Sequence, residues 1–179
     1  MNVNFLRMLS AFVLLMVMQG TSYAVDSVYA SFSGGKKAQK ATLGLQWNWD
    51  NRWYESNGTH IGGYWDANIS RWRGNDHFTL HQTQMLTEAG ITPVFRWQSN
   101  SGTGYYLDAG IGVHLISGFW DNAARQLSTR FQFGDVLAVG YKFNKDLDLA
   151  VKLEHISNAG IKKPNSGMNF LGVRLNYRF

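Results

Sequence analysis

The sequence predicts an all-β fold, an eight-stranded antiparallel transmembrane β-barrel of the outer membrane, on three observations. The chain closes on an alternation in which Leu171, Val173, Leu175, Tyr177 and Phe179 are apolar, while Gly172, Arg174, Asn176 and Arg178 are small or polar. That is the period of a strand with one face in oil and the other in a wet interior. An export-type leader opens the chain. The composition has 19 glycines, 15% aromatics, two prolines and no cysteine. Its mean hydropathy is slightly negative, as expected where apolar residues alternate instead of running together.

The leader consists of Arg7 as a positive start, an apolar core from Met8 to Met18, and Ser22-Tyr23-Ala24 as a small-x-Ala cleavage site. We read residues 1–24 as a cleaved secretory signal peptide. The apolar run is shorter than the ~20 residues of a spanning helix. Residues 25–179 then form a single barrel domain. Removing Arg7 from the seventeen basic residues leaves sixteen against twelve acidic, a net +4 without any block of like charge. Nucleic-acid binding therefore has no support. The lack of cysteine excludes disulfides, thiolate metal sites and a cysteine nucleophile.

Eight alternating segments follow in order. The first lies near Val28, Ala30 and Phe32. The second sets Leu43, Leu45, Trp47 and Trp49 against Thr42, Gly44, Gln46 and Asn48. The third carries Ile61, Trp65, Ala67 and Ile69 outward, the fourth Ala89, Ile91, Phe95 and Trp97. The fifth runs from Tyr105 to Leu115, the sixth from Phe131 to Tyr141. Leu147, Leu149, Val151 and Leu153 mark the seventh, and the terminal alternation is the eighth. Tilted strands of about 9–11 residues suffice to cross a membrane, and eight of them close without a free edge.

An even strand count puts both termini on the periplasmic side. Segments 33–41, 74–82, 117–128 and 158–168 then become external loops. Trp47, Trp49, Trp53, Trp65, Trp97 and Tyr177 fit interfacial aromatic girdles. The inward charges Asp66, Glu88, Arg96, Asp108, Lys142, Lys152, Glu154 and Arg174 carry both signs. They are expected to pair and plug a lumen only wide enough for side chains, which argues against a conducting pore. Arg71 and Arg73 point outward at the external end of the third strand, at phosphate height.

The chemistry-bearing stretch is Leu153-Glu154-His155-Ile156-Ser157-Asn158-Ala159-Gly160. Residues two apart share a face, so His155 and Ser157 stand roughly 5.5–7 Å apart at Cα on the lipid side of the seventh strand. A histidine nitrogen can reach a serine hydroxyl across that gap, yet a His and a Ser at a strand top are equally consistent with plain interfacial residues. A hairpin centred on Lys145 places Asp135 opposite His155 on the same outward face. No Gly-x-Ser-x-Gly elbow and no His-Glu-x-x-His pairing occurs, so an α/β-hydrolase and a zinc hydrolase lack support. His77 and His81 fall on an external loop, where polar residues are ordinary.

The string from His155 to Lys162, followed by Pro164-Asn165 and Gly167, resembles the motif of the lipid A 3-O-deacylase (PagL) family of outer-membrane barrel hydrolases. Weaker similarity runs through Leu45-Gln46-Trp47-Asn48-Trp49-Asp50, Gly63-Tyr64-Trp65-Asp66-Ala67, Ala109-Gly110-Ile111-Gly112-Val113 and Phe133-Gly134-Asp135. The resemblance implies an outer-membrane serine esterase that removes the 3-linked acyl chain of lipid A, with no cofactor and no metal. It implies Ser157 as nucleophile, His155 as general base, and Asn158 and the Gly160 N–H as oxyanion donors. The family's acid that orients the histidine, twelve residues after the serine, is replaced here by Asn169. Asn169 and Asp135 both remain open as the orienter. The expected partners are lipopolysaccharide and the outer membrane, with the active site facing the outer leaflet and a homodimer left open. A non-enzymatic anchor or adhesin and a lipid A acyltransferase are the rival readings.

Overall fold

The computed structural model describes residues 24–74, 83–122 and 124–179. Residues 1–23 of the expected leader, and His77 and His81, lie outside the described residues. Among the described residues there is no helix; the regular structure is β throughout. Eight long strands make the wall: β1 (Ser27–Gly35), β2 (Ala38–Asn48), β3 (Thr59–Gly74), β4 (Gln84–Ser99), β5 (Gly104–Ile116), β6 (Phe131–Lys142), β7 (Leu147–Ser157) and β8 (Met168–Arg178). Each pairs antiparallel with its sequence neighbours, and β1 pairs with β8, which closes the barrel and removes the edges.

The alternation works as the sequence implies. Outward-facing Leu171, Val173, Leu175 and Tyr177 are about half exposed, whereas Arg174 and Asn176 between them are buried. Ser27 pairs with Arg178, so both termini sit at one end with the short turns 100–103 and 143–146. The ten-residue connection 49–58 shares that end, and the connections 117–130 and 158–167 lie at the other, the external one. At the terminal end Trp49 stacks edge-on against Trp53, Trp65 and Phe95, and Tyr105 against Tyr141.

One expected loop is not a loop. Residues 33–41 are strand apart from the two-residue turn 36–37, where Lys37 adopts φ 54°. The outward positions there are Gly34, Gln39 and Ala41, which give no apolar alternation to read. The inward positions Ser33 and Lys40 are buried, and they carry the strand to the barrel top. Of the other expected loops, 117–128 falls within the connection 117–130, which contains a two-rung ribbon, Trp120–Asp121 with Gln126–Leu127, and 158–167 precedes β8, while 75–82 lie outside the described residues.

All eight expected inward charges are buried, and most of them gather in two clusters. Nearer the terminal end, Asp108 accepts from Arg96 Nε at 2.6 Å, from Arg174 Nη2 at 2.7 Å and from the Tyr64 hydroxyl at 2.8 Å. Tyr106 fits beside them because it lies on Gly140, where a Cβ would come within 2.1 Å of its ring. Nearer the external end, Lys40 Nζ donates to Glu154 at 2.7 Å and to Glu88 at 3.0 Å. Glu88 also accepts from Trp72 Nε1 and lies 2.5 Å from His114 Nδ1. Glu88, His114 and Glu154 have ligand atoms close enough for a metal ion, but the Lys40 ammonium already occupies the cation position.

Between the clusters, Tyr29, Asp66, Lys152 and Arg174 flank a space of about 10 Å³, room for about one water molecule. Above Lys40 the lumen is closed by a dry layer: Trp120 and Leu127 of the ribbon pack with Trp72, Ile156, Met168 and Phe170. The interior is a packed core and not a conduit.

Removing one partner of a buried ion cluster leaves the others uncompensated, at about 3–5 kcal/mol. Lys40→Met should therefore lower barrel stability by that order in urea titrations of the protein folded into lipid vesicles. An unchanged midpoint would show that Glu88 and Glu154 do not depend on the ammonium.

Candidate functional site

Three strands converge at the external rim. On β7, His155 lies directly across from Asn169 of β8 and from Asp135 of β6. The hairpin register read from the sequence is therefore the observed one. Ser157, one dyad further up β7, lies across from Phe133. His155 and Ser157 are half-buried, Asn169 and Asp135 exposed. Their inward neighbours Glu154 and Ile156 are buried in the Lys40 cluster and the dry layer. Since strand faces alternate, that burial forces 155 and 157 to point to lipid.

Of the two orienters left open, Asn169 makes the contact: His155 Nδ1 lies 2.5 Å from Asn169 Oδ1. An amide oxygen only accepts, so Nδ1 carries the proton and Nε2 keeps its lone pair. Among the described residues no hydrogen bond reaches the Asp135 carboxylate, and none joins His155 to Ser157.

Gly167 holds the other side of the ring. Its φ is +65°, and a Cβ there would stand 2.6 Å from His155 Cε1 and 3.2 Å from Nε2. Only glycine permits this approach. Gly167 carries no role in the residue-level reading of the motif. Its one signal in the sequence is its place at the end of the 155–167 string.

The loop after Ser157 is held mainly by Asn158, which is buried. Its N–H donates to Asn165 Oδ1 at 3.1 Å and its Nδ2 to the Lys162 carbonyl at 2.8 Å. Its Oδ1 accepts from the Gly160 N–H at 3.0 Å. Both expected oxyanion donors are thus engaged within the loop. The turn is completed by Ala159 at φ 52° and Gly160 at φ 82°.

Below the rim, on the lipid side, Leu153 pairs with Leu137 and Leu171. They open an apolar trough of about 570 Å³ that slants across β6 and β5, past Ala109 and Leu107, to Trp97. Its upper end lies one dyad beneath His155. A polar histidine–amide pair and a serine thus stand at the head of an apolar trough, all on the outside wall.

Fold and site together define an outer-membrane β-barrel whose His155, Ser157 and Asn169 side chains face the membrane instead of the lumen. The family model for lipid A 3-O-deacylase (PagL) matches residues 39–178. The lipid A deacylase PagL of Pseudomonas aeruginosa is 30% identical over 149 residues, 83% of this chain and 83% of that protein. The lipid A deacylase PagL of Bordetella bronchiseptica is 32% identical over 116 residues, 65% of this chain and 58% of that one. A crystal structure of the outer membrane enzyme PagL superposes with a TM-score of 0.77 at 28% identity, covering 86% of this chain and 99% of that one. Neisserial surface protein A shares the barrel at a TM-score of 0.52 and 13% identity, over 90% of this chain and 100% of that one. That last likeness is one of fold alone. The chain belongs to the PagL family of lipid A deacylases, hydrolases of the bacterial outer membrane.

Asn169→Ala should lower deacylation by about tenfold or more, through loss of the imidazole's hydrogen bond. Asn169→Glu should preserve or raise it, because a carboxylate also stabilises the imidazolium. Asp135→Asn should be nearly silent. Rates on purified lipid A in detergent micelles decide the matter, and a damaging Asp135→Asn with a silent Asn169→Ala would reverse the assignment.

Proposed function

We propose that the protein hydrolyses the ester that links the 3-hydroxyacyl chain to position 3 of lipid A, with Ser157 as nucleophile, His155 as general base and Asn169 as orienter. The observation that carries this reading is the His155–Asn169 bond, which leaves Nε2 basic beside a serine two residues on. The site's place on the lipid-facing wall gives it access to membrane esters. Ser157 and His155 stand two residues apart on one face of β7, and such contacts commonly tighten only once substrate is bound.

Nε2 takes the proton as Ser157 Oγ attacks the ester carbonyl, because a serine hydroxyl is a weak nucleophile without a base. The tetrahedral oxyanion then collapses, and the imidazolium returns its proton to the departing 3-oxygen of the sugar. The fatty acyl group is left on Ser157. Water, deprotonated by the same Nε2, attacks this ester and releases a free 3-hydroxy fatty acid. The exposed Gly160 N–H is the oxyanion donor we favour: a charged oxygen competes well with the neutral amide oxygen that now accepts it. Asn158, buried and held by four hydrogen bonds, supports the loop. The trough from Leu153 and Leu171 to Trp97 takes the acyl chain.

Ser157→Ala and His155→Asn should each abolish release of the acyl chain while leaving a folded, heat-modifiable barrel. Members of a catalytic unit each cost several decades when removed. Mass spectrometry of lipid A from cells expressing Ser157→Ala checks this; continued loss of one 3-hydroxyacyl chain would rule the mechanism out. A free fatty acid among the products separates hydrolysis from acyl transfer.

Arg71 and Arg73 are exposed at the top of β3, four strands from β7. We read them as contacts for lipopolysaccharide phosphates that seat the barrel. The double change Arg71→Ala/Arg73→Ala should leave turnover within about twofold at equal membrane insertion. A large fall in turnover would place substrate on that wall.

A further inference from the structure

The loop that carries Gly167 to His155 is held from across the barrel mouth. Residues 126–128 of the long external connection run antiparallel beside 164–166. Ser166 N donates to the Gln126 carbonyl at 2.9 Å and Ser128 N to the Pro164 carbonyl at 3.1 Å, with Leu127 bridged to Asn165 between them. Leu127 is buried in the dry layer with Ile156 and Met168, so this strip stands on the barrel's own core. Arg125 enters at its end, where Nη1 donates to the Ser166 carbonyl at 2.7 Å. That carbonyl belongs to the peptide unit that leads into Gly167, the residue against the Cε1–Nε2 edge of His155.

We infer that Arg125 is a positioning residue for deacylation: by fixing the Ser166–Gly167 peptide it presses Gly167 against the imidazole and holds Nε2 on the Ser157 side. The inference rests on the reading of His155 as the base. The physical reason is mechanical. One side of the ring is tied to Asn169 by a single hydrogen bond, about which the imidazole can still swing. Gly167 blocks the swing only while its peptide stays put. A charge-assisted bond to a carbonyl is shorter and stronger than a neutral one, and a misplacement of about 1 Å at a reacting group can cost about a hundredfold. Arg125 touches no reacting atom, so its influence passes wholly through the loop.

The test is steady-state kinetics on purified lipid A in mixed micelles, with folding checked by heat-modifiable mobility. Arg125→Ala should lower kcat by about 10- to 100-fold with KM within about twofold. Arg125→Lys, which can still donate to the Ser166 carbonyl, should recover most of the loss. Arg130→Ala, which removes a neighbouring loop charge, should change neither constant. Gly167→Ala should be as damaging as Arg125→Ala, and the double variant little worse than either, because both act on one ring. If Arg125→Ala does not fold, Arg125→Met keeps the stem, removes every donor and should show the same fall.

A wild-type kcat in the folded variant overturns the inference. So does a raised KM at unchanged kcat, which would make Arg125 a substrate contact. Ser157→Ala run alongside separates the two levels. Activity surviving there sinks the serine mechanism itself, whereas a dead Ser157→Ala with an unaffected Arg125→Ala sinks only the positioning role.

Discussion

The salt bridge from Lys40 to Glu154 sets which way the reactive residues face. A barrel wall is one residue thick, and each side chain on β7 must choose lumen or lipid. Glu154 is held inside by Lys40 at 2.7 Å, and Ile156 is held inside by the dry layer beneath Trp120 and Leu127. His155 and Ser157 are what remain, and they have nowhere to point but outward. A slip of one residue would bury the histidine and serine and strand a carboxylate in hydrocarbon. The polar lumen is therefore the part of the molecule that specifies the register of the site.

The rim then works as a set of nested supports. The imidazole is gripped by Asn169 on one side and Gly167 on the other. Gly167 is delivered by a loop whose inner turn is built around Asn158 and whose outer flank is laced to residues 126–128. That lacing is in turn seated on Leu127. Every layer depends on something more deeply buried than itself, which is how an exposed site at a membrane edge can keep a defined geometry. Asn169, where the resemblance implies an acid, fits this scheme. An amide supplies position without charge, and the loop shares the task of holding the ring.

Much of this was legible in the residues. Alternation located the wall, the inward charges named the lumen, and the hairpin about Lys145 correctly placed Asp135 opposite His155. Where the signal failed, the reason is physical. Positions 33–41 escaped because glycine, alanine and glutamine face outward there, so a strand carried no apolar rhythm. The choice between Asn169 and Asp135 could not be made by register, since both flank His155; what separates them is that the Asn169 side chain reaches the ring. The strip between 126–128 and 164–166 was invisible because it joins segments about forty residues apart through backbone bonds, which leave no mark on residue type.

The arrangement of polar, greasy and reactive surfaces gives this barrel a front and a back. The trough and the rim residues run from Trp97 on β4 round to β8, while the exposed arginines at the top of β3 lie away from the rim residues. A neighbouring protein that settled against β6 to β8 in the crowded plane of the membrane would shut the enzyme without touching a loop or the lumen. One that settled against β1 and β2 would leave it running. Activity in such a molecule becomes a matter of company, open to control by whatever sets the rotational order of barrels within the bilayer.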